Sequence, residues 1–236
     1  MMYSNRDNFI ISAAGCMYCD PNSLEAIMAG NEAGARGCTI PVRLTQDGIA
    51  VICAGDGFLN RRGQYRAVDS LPFAEMRSFF NKIVTFGQAL ELAKACAAKL
   101  CIVLPDARTA LSIRVTLKYS EYLDNAYFCG LSLQDAADLA ARYPDMHIMV
   151  DIDSVPTTEE MLVRVVRDAG LFGLRAEPRL LTASLCEAAL HAGLFLASTE
   201  STDIDELRAM IDQGVNFIET ERPDLAYGLM PQPDFD

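Results

Sequence analysis

The sequence predicts a single (β/α)8 TIM barrel, and three observations carry that reading. Short apolar runs alternate with amphipathic stretches along nearly the whole chain, the pattern of a parallel sheet covered by helices. The runs begin at Phe9, Cys38, Leu100, Ala126, His147, Gly173, Leu194 and Val215, and eight such units suggest a closed barrel rather than an open sheet. The length, 236 residues with 51% hydrophobic content, suits one barrel domain spanning 1–236.

Each element has a local reason. The apolar stretch 9–13 reads as a strand. Asn22-Ser23 precede a helix over 24–34, with Leu24, Ile27 and Met28 on one face and a glycine stop. A strand over 38–44 leads into the polar turn Thr45-Gln46-Asp47-Gly48, where glycine supplies positive φ without steric cost, and then a second extended run over 49–53. Pro41 lies inside the first of these strands; it donates no backbone hydrogen bond, so a ladder end or a bulge is expected there. Residues 57–80 read as a loop region with one short helical piece near 73–80, and 85–98 as a helix with Phe86, Leu90 and Ala93 at helical spacing.

Strands over 100–104, 126–131, 147–152, 173–176, 194–198 and 215–220 then alternate with helices over 110–123, 133–143, 156–169, 182–192 and 203–213. Ser132, Thr157-Thr158 and the Gly214 stop punctuate that series. Leu24, Ile27, Val51, Ile102, Val150, Leu174, Leu196 and Ile218 are the expected core.

Bulk chemistry narrows the function. The formal net charge is −12, from 32 acidic and 20 basic residues with no basic run, which disfavours a nucleic-acid surface. No stretch approaches the roughly 18–20 apolar residues of a membrane span. The N-terminus lacks the pattern of a signal peptide, and eight cysteines without one suggest reduced thiols. A cytoplasmic location is expected.

Three ordered stretches resemble the glycerophosphodiester phosphodiesterase family. Gly34, Ala35, Val42, Leu44, Thr45, Asp47, Gly48 and Val51 fit its G-A-D-x-I-E-x-D-V-x-L-T-x-D-G-x-x-V scaffold, Asn22-Ser23-Leu24-Glu25-Ala26 resembles its N-T-L-E-A, and Gly214 to Asp224 resembles its G-V-D-G-I-I-T-D-R-P-D. The resemblance implies a TIM barrel whose C-terminal mouth holds a divalent cation such as Mg or Ca between carboxylates, with two histidines as acid and base. Residues 57–80 stand where the family carries a small inserted cap.

Carried over position by position, that chemistry is absent. The first histidine and its arginine neighbour become Ala13 and Ala14, the paired Glu and Asp become Thr39 and Pro41, the second histidine becomes Ala54, and the later Glu and Lys become Val103 and Pro105. A one-residue gap places Asp56 on the motif's last Asp. Methyl groups relay no protons, and Val and Pro offer a hard cation no oxygen ligand. No metal is expected at the family site.

Other residues could stand in. Asp151 and Asp153 are two apart and share a strand face at a C-terminal strand end; with Glu177 and Glu200, and near Glu219 and Glu221, they could ring the mouth and hold a cation on its opposite side. Solvated loop acids are the simpler reading for so acidic a chain. Cys16 and Cys19 form a C-x-x-C in the first loop, a spacing that suits zinc or redox chemistry, though no second pair accompanies it. The other six cysteines read as small buried hydrophobes, and His147 and His191 as packing or surface histidines. Two functional classes follow: a binding or regulatory barrel for a small polar ligand or a protein, or a phosphoric diester hydrolase of lipid metabolism with a relocated acidic site.

Overall fold

The computed structural model describes residues 8–153 and 158–230. Eight parallel strands form its barrel: β1 (Phe9–Ser12), β2 (Gly37–Leu44), β6 (Lys99–Val103), β7 (Ala126–Cys129), β8 (Met149–Ile152), β9 (Gly173–Ala176), β10 (Phe195–Ser198) and β11 (Phe217–Thr220). Their order is β7-β6-β2-β1-β11-β10-β9-β8, and a parallel bridge between Phe128 and Ile148 joins the two ends. The expected single barrel is what forms.

Helices α1 (Leu24–Glu32), α3 (Phe86–Ala95), α4 (Ala107–Tyr119), α5 (Leu133–Arg142), α6 (Glu159–Asp168), α7 (Ala183–His191), α8 (Ile204–Asp212) and α9 (Pro223–Leu229) follow the strands. Most open on a side-chain cap that satisfies a free helix N–H. Ser23, Ser132, Thr158 and Thr182 do this, and Thr85 forms a reciprocal capping box with Gln88. Asp106 accepts from the Thr109 N–H at 2.7 Å, which starts α4 three residues before the expected position. Residues 156 and 157 of the expected sixth helix lie outside the described residues. No helix among the described residues is long and apolar enough to cross a membrane.

Seven of the eight expected core residues are buried and the eighth, Leu24, is half-buried. Met28 departs from expectation: it is 47% exposed. Helix α1 approaches the barrel at Gly30, where an added Cβ would lie 2.5 Å from the Ser12 Cβ. The glycine turns Ala26 and Ile27 to the strands and leaves Met28 outside. Cys96 is half-buried, while the other five cysteines expected inside are buried.

Pro41 makes no bulge. The parallel ladder between β2 and β6 ends at the pair Pro41–Val103, and β2 then continues by pairing antiparallel with β3 (Ala50–Ile52) across the Gly48 turn, where φ is 82°. The missing donor falls where the partner strand stops, and the Pro41 carbonyl accepts the Cys53 N–H at 2.9 Å.

The segment 57–80 carries more structure than expected. A hairpin, β4 (Gly57–Leu59) with β5 (Tyr65–Ala67), precedes α2 (Phe73–Phe79). The segment has its own small core, in which Phe58, Val68 and Met76 pack with Val51, Cys53 and Ile83.

Candidate functional site at the barrel mouth

Register decides which side chains face the barrel interior. Ile11, Cys101, Tyr127, Cys129, Met149, Ala197 and Phe217 form one closed interior cluster, and residues paired across a parallel ladder share a face. Thr39 pairs with Cys101, Pro41 with Val103 and Glu219 with Ile11; Arg175 pairs with Ala197 on one side and Asp151 on the other. All therefore point inward. Ala13 continues the inward face of β1, its N–H bonded to the Thr220 carbonyl at 2.9 Å.

On the β1–β2–β6 side the positions matched to the family's site carry no charge, and Lys99 lies at the far end of β6 with its Nζ 4.8 Å from the centre of the Phe9 ring. Ala13 is 3% exposed and Thr39 7%, and Val103 is half-buried. Ala14 is half-buried, while Ala54 and Pro105 are exposed at the rim. The Thr39 hydroxyl is buried without a hydrogen-bond partner, and it is the one oxygen-bearing side chain among these seven. A hard divalent cation takes six or more oxygen ligands, several of them anionic. These residues do not fit one. Asp56, the residue nearest the motif's last carboxylate, is engaged by Arg43 at 2.7 Å.

The opposite side is charged. Arg175 donates from Nη2 to Glu219 Oε2 at 2.8 Å and from Nη1 to Asp151 Oδ1 at 3.5 Å. Asp151 Oδ2 accepts the Gly130 N–H at 2.9 Å. Gly130, at φ 89°, ends β7 two residues earlier than the sequence suggested and supplies that donor. Burial pushes the Asp151 carboxyl up, opposed by Arg175 and the Gly130 N–H. Burial also works against the Arg175 charge, but Cys129, Glu219, Cys101 and Asp151 around it raise its pKa on balance. Its Nε is buried without a partner.

At the rim, burial and the neighbouring carboxylates of Glu221 and Glu219 push Glu200 up to about 7. Two of the four candidate mouth acids thus belong to one polar cluster: Asp151 directly and Glu200 through Glu219. Asp153 is exposed beside residues outside the described set, and Glu177 pairs with Arg179 instead. Among the described residues no three His, Cys, Asp or Glu side chains are placed to hold a metal ion. Arg175 escaped the sequence reading. Its signal is a charged residue inside the four-residue strand Gly173–Ala176, at the same inward parity as the acids of VDID and IET.

Cys16 and Cys19 lie in the loop that closes over this end. Cys16 is buried, its thiol raised mainly by burial and donating to the Ala26 carbonyl at 3.1 Å; Cys19 lies 3.8 Å from the Met17 carbonyl. Both are reduced. The loop passes through left-handed backbone at Met17 and Tyr18, and the Met17 N–H donates to the Glu221 carbonyl at 2.9 Å. His147 sits at the far end of the barrel against the Phe172 ring at 4.6 Å, where burial lowers its pKa. His191 is exposed at the end of α7.

Solved structures with this architecture carry a common name. A glycerophosphodiester phosphodiesterase from Thermotoga maritima matches with a TM-score of 0.79 at 19% identity, over 94% of this chain and 98% of that one. Another, from Agrobacterium tumefaciens strain C58, matches at 0.76 and 17% over 94% and 99%. The fold is that of the glycerophosphodiester phosphodiesterases. A phosphodiesterase from Oleispira antarctica, solved with the product sn-glycerol-3-phosphate, matches at 0.78 and 16% over 94% and 96%. The chain matches no protein-family model and no curated protein sequence. At these identities the likeness to glycerophosphodiester phosphodiesterases is one of fold.

Proposed function

We propose that the chain is a catalytically degenerate glycerophosphodiester phosphodiesterase-like barrel, working in the cytoplasm as a binding or regulatory module for a small polar ligand or another protein. One observation carries this reading: the inward positions matched to the family's metal and acid–base residues are Ala13, Thr39, Pro41 and Val103. Phosphodiester cleavage calls for neutralisation of the anion and a proton for the leaving alkoxide. Two methyl-bearing side chains, a proline ring and a neutral hydroxyl supply neither. Residues 57–80 take the place of the family's cap over the mouth.

The test is hydrolysis of a panel of glycerophosphodiesters with Mg or Ca present. The expected result is turnover at background, since general acid–base help alone is worth about 10²–10⁴-fold. Installing Ala13→His, Thr39→Glu, Pro41→Asp, Ala54→His and Val103→Glu together should raise turnover above background, and any one alone should not. Robust metal-dependent turnover by the unmodified chain would overturn the reading.

A second reading, a phosphoric diester hydrolase with a relocated acidic site, is favoured by the placing of Glu200. A carboxyl that titrates near neutrality beside Glu219 and Glu221 is suited to donate a proton. Under that reading turnover is present and is lost in Asp151→Asn, Asp153→Asn or Glu200→Gln.

A further inference from the structure

A cavity of about 630 Å³ opens beside the mouth, between the β1–α1 loop, the start of α1 and the residues that follow α2. Its floor is apolar, made by Leu24, Ile52, Phe58, Phe80 and Ile83. Phe58 and Phe80 stack with ring centroids 4.7 Å apart and planes 8° from parallel. Three charged side chains stand around it: Asp20, Glu25 and Lys82. Lys82 Nζ lies 2.8 Å from Asp20 Oδ2, so the ammonium is already matched within the protein. Glu25, in the first turn of α1, has no ion pair among the described residues; its field also reaches Lys82, and the three side chains together carry one net negative charge.

We infer that this cavity binds a small organic ammonium with an apolar body. Its volume falls within the range of sites for small ligands, and an apolar floor with a few polar groups is how such sites are built. An apolar body covers the floor. The ammonium then meets the exposed Glu25 carboxylate. An anion of the same shape meets two carboxylates and a lysine that is already paired. The net charge of −12 adds a field of the same sign. The cavity shares no lining residue with Ala13, Thr39, Pro41 or Val103, so this inference and the loss of hydrolysis stand or fall separately.

Three probes of one shape test it: phenethylammonium, phenethyl alcohol and 3-phenylpropionate, titrated into the full chain by calorimetry at low salt. The ammonium should bind about threefold tighter than the alcohol, the scale of an exposed ion pair, with the carboxylate weakest. The gap should shrink as salt screens it. Glu25→Gln, an exposed change, should erase the ammonium–alcohol gap and leave the alcohol's affinity unchanged. Leu24→Trp should fill the cavity and abolish all three. Tightest binding by the carboxylate, no binding of the ammonium at millimolar concentration, or an unchanged gap in Glu25→Gln would each overturn the assignment, whatever the hydrolysis assay shows.

Discussion

The two sides of one barrel interior differ in kind. On the β1–β2–β6 side the inward positions near the mouth are small or apolar, and one buried hydroxyl goes unused. On the β8–β9–β11 side an arginine holds two carboxylates, with two more acids at the rim. The comparison teaches where charge can be kept inside a barrel. Burial disfavours an ionised group unless an opposite charge and hydrogen bonds accompany it. The charged side has both around Arg175. On the other side Ala13, Thr39, Pro41 and Val103 are neutral, and the charges nearby lie elsewhere, Arg43 with its own partner Asp56 and Lys99 at the far end over the Phe9 ring.

The largest expected effect breaks the charged side. Arg175→Met leaves Glu219, whose side chain is 6% exposed, buried without its partner. Removing one member of a buried pair typically costs about 3–5 kcal/mol, read as a lower denaturant midpoint at unchanged slope. Adding Glu219→Gln should recover part of that loss. A loss below about 1 kcal/mol in the single variant would mean that the ion cluster does not hold this side together.

Glu200 gives a smaller, pH-dependent effect. Its folded pKa, about 7, lies above the ordinary carboxylate value. Between roughly pH 4.5 and 7 the folded state therefore binds more protons than the unfolded state, and stability contributed by this group falls as pH rises through that window. Because Glu200 is exposed, solvent screening holds the difference to about 1 kcal/mol. Comparing thermal midpoints at pH 4.5 and 8, Glu200→Gln should lose less stability than the unmodified chain. An identical pH profile in both would separate Glu200 from the cluster.

The smallest effect has the opposite sign and lies on the neutral side. Thr39→Val replaces a buried hydroxyl that has no partner with a methyl of the same shape. An orphaned polar group costs more than the apolar group that replaces it, so the variant should gain about 0.5–1 kcal/mol in the same denaturation experiment. A loss would show that the hydroxyl has a use on this side, and the contrast between the two sides would narrow.

Much of this was legible in the chain alone. Eight apolar runs separated by amphipathic stretches specify a barrel because a parallel strand must be covered on its outer face. Ala13, Thr39, Pro41 and Val103 are picked out by the resemblance to the family's motifs. Tertiary structure decided the rest. Arg175 reads in sequence as one charged residue in a short strand; only the order and register of the strands set it beside Asp151 on β8 and Glu219 on β11. The hairpin at 57–67 is short, so its pattern is weak, and it is held by packing of Phe58 against residues up to Ile83. The exposed Met28 depends on how closely Gly30 meets Ser12. Periodicity reports which face of an element is apolar, because that is set by neighbours a few residues away. It carries no record of which distant side chains a closed barrel brings together, and the ionisation of Arg175, Asp151 and Glu200 is governed by those neighbours.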